Sequence, residues 1–267
     1  MMDIPVALST TASGAVVGLV LGLVGGGGSI LAVPLLIYWV GIASPHVAIG
    51  TGAIAVSLSA LGNVAGHARA GNVKWRCAGV FASAGVVGAV AGSVVAKAMD
   101  GQKLLALFGM LMVVVGLMML RKRSGEGDPD VRLSKATARK LLPMLIAIGA
   151  AVGLLSGFFG IGGGFLIVPG LMYATGMPLT LAIGTSLVAV AAFGAATATS
   201  YAVSGWIDWP IAGVFVLGGL LGGIAGVTLG KNLAARKRVM NIIFAALVIV
   251  VGIYVVARGL APLIGET

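Results

Sequence analysis

No aspartate, glutamate, lysine or arginine occurs between Asp3 and Arg69, and none occurs between Lys140 and Asp208. A soluble domain carries about 25% charged residues. This chain of 267 residues carries 9%, with 59% hydrophobic residues and a mean hydropathy of +1.14. Shorter uncharged runs cover Cys77 to Ala96, Leu104 to Leu120, Trp209 to Gly230 and Val239 to Ala257. About 20 apolar residues cross a bilayer as a helix, so each short run fits one crossing and each long run must hold more than one element. The pattern predicts an all-α polytopic membrane protein. Met1-Met2-Asp3 offers no basic leader region, so no cleaved signal peptide is expected. The net charge of +10 sits at segment ends, as membrane topology requires, and is not read as a nucleic-acid footprint.

The chain repeats itself. GLVGGGGSILAVPLL begins at Gly22 and GFFGIGGGFLIVPGL at Gly157, an offset of 135 residues that also matches Pro34 to Pro169. Ala48-Ile49-Gly50-Thr51 then matches Ala182-Ile183-Gly184-Thr185, one residue closer in register. Gly71 to Trp75 matches Gly205 to Trp209, and Gly88, Gly92 and Lys97 match Gly222, Gly226 and Lys231. Three parts follow: a first transmembrane repeat over 1–120, a basic linker over 121–140 and a second repeat over 141–267. Paired halves in one membrane chain are common among secondary transporters. Each half is read as three transmembrane helices plus one Gly-broken segment. Helical pattern runs from about Thr11 to Val24 and Leu141 to Phe159, then breaks, then resumes from Ser29 to Val40 and Phe165 to Ala174. Clustered glycines each cost about 1 kcal/mol in a helix, and such a break survives in a membrane only inside protein or beside a wet cavity.

The basic residues weigh two topologies. If each broken segment crosses, the repeats are parallel and Lys plus Arg divide 11 against 6. If each broken segment re-enters, the repeats are inverted and the division is 14 against 3. The positive-inside rule favours the sharper asymmetry. Inverted repeats are therefore expected, with the linker cytoplasmic and both termini extracytoplasmic. Gly218, Gly222, Gly226 and Gly230 form a small-residue face whose counterpart is Ala84, Gly88, Gly92 and Ala96; this spacing serves close helix contact.

The breaks carry the site expectation. A half-helix beginning after Gly28 or Gly164 aims free N–H groups and a positive dipole end inward. Two such ends meeting near the midplane attract an anion without a buried cation. Neither cluster completes a nucleotide loop, because Ile30 and Phe165 stand where GxGxxG needs its last glycine. The expected substrate-binding residues are Gly25, Gly26, Gly27, Gly28, Ser29, Thr51 and Asn63 in the first half. In the second they are Gly160, Gly162, Gly163, Gly164, Thr185 and Thr197. Asn63 and Thr197 are repeat counterparts whose amide and hydroxyl can donate to oxyanion oxygens; helix–helix hydrogen bonding is the competing use for each Ser and Thr. His67 is placed at a helix end, His46 in a solvated turn after Pro45, and Trp75 and Trp209 at membrane interfaces.

Other chemistries find little support. One cysteine, Cys77, and two histidines leave no metal cluster and no disulfide. No metal, cofactor or enzymatic activity is expected. All seven carboxylates fall in termini, loops or helix ends, which disfavours an intramembrane acidic proton relay. A coupling ion, H+ or Na+, and homo-oligomerisation stay open. The expected partners are a small anionic substrate and the lipid bilayer. A passive channel or a non-transporting scaffold are the alternatives.

The doubled Gly-rich, Pro and AIGT pattern resembles the sulfite exporter TauE/SafE family of bacterial permeases along nearly the whole chain. That resemblance implies transport of sulfite, sulfonates or related anions across the cytoplasmic membrane. Its motifs fall on Gly25 to Pro34, Gly50-Thr51, Gly160 to Pro169 and Gly184-Thr185. The first half departs by lacking a residue like Ile161 inside its glycine run.

Overall fold

The computed structural model describes residues 3–120, 128, 130–131, 133–160, 164–232 and 237–264. All regular elements among the described residues are helical. In order they are α1 (Ile4–Val24), a 3-10 segment (Gly25–Leu31), α2 (Ala32–Tyr38), α3 (Pro45–Arg69), α4 (Trp75–Lys97) and α5 (Gly101–Leu120). Then come α6 (Lys135–Phe159), α7 (Gly164–Thr175), α8 (Leu179–Val203), α9 (Trp209–Asn232) and α10 (Lys237–Ile264). Seven stretches of the described residues are long and apolar enough to cross a membrane, one of them continuous over Ile4–Tyr38. Gly164–Thr175 and Phe244–Gly259 are shorter apolar helices.

Helix starts follow local chemistry. Pro5 presets the first turn of α1, so the helix begins ahead of the expected Thr11. Ser134 and Thr137 form a reciprocal capping box, so α6 begins ahead of the expected Leu141. The glycine run Gly25–Gly28 does not leave a gap before a second α-helix: it winds as 3-10 helix through Leu31, and α2 proper is only Ala32–Tyr38. Its entry is Gly25 at φ 73°, and α6 ends likewise at Gly160 with φ 67°. Only glycine enters this region cheaply. Among the described residues all six with positive φ are glycines, and they form three pairs: Gly25 with Gly160, Gly41 with Gly176, and Gly71 with Gly205.

The main interfaces join one half to the other. Along α1, Gly14, Gly18 and Gly22 lie against Phe215, Gly219 and Gly223 of α9, so the two helices run parallel. Gly218, Gly222 and Gly226 return the contact against Thr11, Ala15 and Leu19, so the small-residue face does what its spacing suggested. Gly85, Gly88 and Gly92 of α4 meet Gly149, Ala150 and Leu154 of α6 in the same parallel sense. Parallel contacts also join α3 to α9, where Ser59 and Asn63 meet Gly219 and Gly223, whereas α3 with α8 and α5 with α10 are antiparallel. Gly50 and Ala53 of α3 meet Tyr201 and Gly194 of α8, while Gly109 and Gly116 of α5 meet Val256 and Ile249 of α10. Within a membrane, association rests on such backbone approach, not on hydrophobic burial.

The two ends of the bundle are identifiable. Val6, the 40–44 turn, Val47, Asp208 and Ile211 line one cleft, and His46 and Pro45 meet Met99 and Gly101 there. At the other end, the Asp128 N–H donates to Gly176 O at 2.9 Å and Arg76 reaches Leu133 O at 3.4 Å. The starts of α1 and α3 therefore share one end, and the chain turns back between them.

Candidate functional site

The two glycine breaks come together. Gly26 and Gly164 touch backbone to backbone; a Cβ on either would collide with the other's main chain. Every residue from Gly25 to Leu31 is buried. The Gly26 N–H donates to Ser186 Oγ at 3.2 Å, and Ser186 Oγ donates to Ile183 O at 2.7 Å. Ser29 Oγ donates to Gly26 O at 2.9 Å. Gly28 lies against the backbone of α1 near Leu21, while Gly27 has more room: its missing Cβ would sit 3.2 Å from Phe244 Cε1 and Val24 Cγ1. Gly25 rests on Ile183 and Gly160 on Ile49, residues in matching places of the two AIGT motifs. Gly162 and Gly163 lie outside the described residues.

Thr51 and Thr185 are engaged elsewhere. Thr51 Oγ1 accepts from the Asp208 N–H at 2.9 Å, and Thr185 Oγ1 accepts from the Lys74 N–H at 3.0 Å. Their glycine neighbours take part: Gly50 abuts Trp206 O and Gly184 abuts Asn72 O. Each AIGT motif thus docks on the α3–α4 or α8–α9 turn of the opposite half.

Asn63 and Thr197 lie farther along α3 and α8. Asn63 is buried, donates from Nδ2 to Ser59 O at 3.1 Å and presents its amide to Gly223 of α9. Ser59 faces Gly219, and its hydroxyl is buried without a partner. His67 continues the stripe, with Nε2 3.2 Å from Gly22 O. Thr197 is fully buried and its hydroxyl also has no partner. Ser13 and Ser156 share that state. Ser186 is the residue sequence reasoning missed; its signal is its place directly after Gly184-Thr185, where the first half has Gly52. Among the described residues no three His, Cys, Asp or Glu side chains converge as metal ligands.

The sulfite exporter TauE/SafE family model matches residues 10–255. The chain belongs to the TauE/SafE family. A "Probable membrane transporter protein" of Xylella fastidiosa strain 9a5c is 48% identical over 98% of this chain and all of its own length. Its counterpart in strain Temecula1 is 47% identical over the same shares. Bacillus subtilis "Probable membrane transporter protein YunE" is 26% identical over 92% of this chain and 96% of its own. No solved structure matches. As a TauE/SafE member with seven apolar stretches of crossing length, the chain is a multi-pass membrane transporter. The Gly25 to Pro34 and Gly160 to Pro169 motifs both lie within the matched residues, and they are the segments that meet at Gly26 and Gly164.

Proposed function

We propose that this TauE/SafE protein is a permease for a small oxyanion, of the sulfite, sulfonate or related sulfur-containing class. Its path passes the paired glycine breaks. The observation that carries this reading is the meeting of Gly26 and Gly164, which joins interrupted helices from both halves at one place. Irregular backbone in a membrane is tolerated only where protein buries it or a wet cavity adjoins it, and transporters place such broken helices at their substrate sites. Gly25 to Ser29, Gly160 and Gly164 form its centre, and Gly162 and Gly163 of the same sequence motif are assigned to it. Asn63 and Thr197 supply donors on either side, and Ser59 and His67 extend a polar stripe along α3. Thr51 and Thr185, each holding a turn N–H, set the position of the helices that frame the path.

The same reading makes the halves 1–120 and 141–267 inverted repeats, joined by the linker 121–140. α3 and α8 are counterparts and run antiparallel, as do α5 and α10. Ser57 Oγ donates at 2.7 Å to the carbonyl of Ala191, its own counterpart, which suits a two-fold axis passing there. The broken segments then re-enter, the linker is cytoplasmic and the termini face outward across the cytoplasmic membrane. A negative interior drives an anion outward by about 2.3 kcal/mol per charge per 100 mV, so export needs no acidic relay. H+ or Na+ coupling is decided by flux under imposed gradients. The test is uptake of radiolabelled sulfite, thiosulfate and methanesulfonate into proteoliposomes. Saturable flux of one of them supports the permease; flux linear in concentration to high concentration speaks for a channel; none in folded, inserted protein removes the reading.

A further inference from the structure

Tyr201 and His67 occupy matching places on α8 and α3. His67 spends a ring nitrogen on the Gly22 carbonyl. Tyr201 is fully buried, yet its hydroxyl has no partner. Buried hydroxyls are normally satisfied, by protein or by something bound. Beside Tyr201 lies Lys97 at the end of α4, its ammonium 5.9 Å from the tyrosine ring centre. That ammonium donates to Ser200 O at 3.0 Å and to Ser204 Oγ at 3.1 Å. Both acceptors are neutral and two of three donors are used. His46 completes the group. Its ring stacks on Trp206 at 4.8 Å and lies 6.3 Å from Tyr201. Nε2 donates to Met99 O at 3.1 Å, so in the neutral ring Nδ1 is an acceptor, and it too is buried and unpartnered.

We propose that Lys97, Tyr201 and His46 form a second oxyanion subsite at the end of the bundle where α3 begins. Lys97 supplies the countercharge and Tyr201 an O–H donor, while His46 Nδ1 accepts from a hydroxyl of the anion or of its hydration water. The subsite adjoins the main path: Gly160 rests on Ile49, and the next residue, Gly50, abuts Tyr201. An anion leaving the second break meets this cluster within one turn of α3. The proposal rests on the permease reading and deepens it.

Trp206, stacked on His46, is a built-in reporter. Full-length protein in detergent is titrated with sulfite and with thiosulfate while tryptophan emission is followed, for wild type, K97M, K97R, Y201F and W206F. Gel filtration and thermal unfolding check that each variant is folded. The expected result is a saturable change in wild type that vanishes in W206F. Binding weakens about tenfold or more in K97M, where a charge-assisted bond is lost, and about three- to tenfold in Y201F. K97R, which keeps the charge, binds within a few-fold of wild type. Curves for K97M and Y201F that superimpose on wild type overturn the subsite, as does a change that persists in W206F. If wild-type proteoliposomes carry saturable sulfite or thiosulfate flux but Trp206 reports nothing, the subsite alone falls. If neither anion binds or moves, the subsite and the sulfur-oxyanion reading fall together.

Discussion

At the scale of the residue, crowding separates glycines that look alike in the sequence. A methyl on Gly164 would meet the Gly26 backbone, whereas one on Gly27 would meet a phenylalanine ring edge and a valine methyl at 3.2 Å. Overpacking costs about 1–3 kcal/mol, and more where main chain must move. Gly164→Ala is expected to lower Tm sharply or abolish folded yield, and Gly27→Ala to lower Tm only slightly; equal losses would contradict this geometry. The threonines make a second contrast. Thr51→Val and Thr185→Val each strand a turn N–H, at about 1–3 kcal/mol. Both are expected to lower thermal stability alike, with Thr→Ser restoring it. A drop in substrate affinity at unchanged Tm would instead return these hydroxyls to the binding site. The sequence marked both threonines through their repeated AIGT setting, but spacing along one helix carries no information about which turn of the other half would reach them. Ser186 was hidden for the same reason: its bond to Gly26 spans 160 residues of chain.

At the scale of the element, backbone-close glycine seams join α1 with α9 and α4 with α6. Gly18 of α1 abuts Gly219, and Gly222 of α9 abuts Ala15 O, so no side chain fits between them. Gly18→Leu or Gly222→Leu is expected to split α1 from α9 and remove folded protein, read by gel filtration of the purified variant. Gly79 of α4 has nothing within 4 Å of its missing Cβ, and Gly79→Ala should raise stability by up to about 1 kcal/mol through helix propensity. A destabilised Gly79→Ala would show that open space is the wrong reading of that face. The α9 and α4 sides of these seams were legible in the sequence as small residues every fourth position. Their partners on α1 and α6 were not assigned, because a glycine face announces close contact without saying with which helix. The 3-10 path through Gly25–Leu31 was likewise out of reach. Glycine forbids little, so the run marked an interruption but not its geometry.

At the scale of the whole molecule, membrane class was legible from charge-free runs alone, and family from the doubled motif. The way the halves interlock became visible only with the helices placed, since every large interface pairs distant segments. The shared end of the α1 and α3 starts makes a topological prediction. In a Cys77→Ser background, Ser124→Cys should react with an impermeant thiol reagent only from the cytoplasmic side, and Asp3→Cys only from outside. Labelling of both from one side would end the inverted arrangement. The central claim is that a small oxyanion passes the paired breaks. Its most direct test is radiolabelled sulfite flux in proteoliposomes, comparing wild type with Gly27→Leu. That leucine would crowd the break, since even its Cβ meets Phe244 and Val24 at 3.2 Å, at a position off the α1–α9 contact. The account predicts saturable flux in wild type and loss of flux in a folded, inserted Gly27→Leu variant. Undiminished, saturable flux in that variant would contradict it.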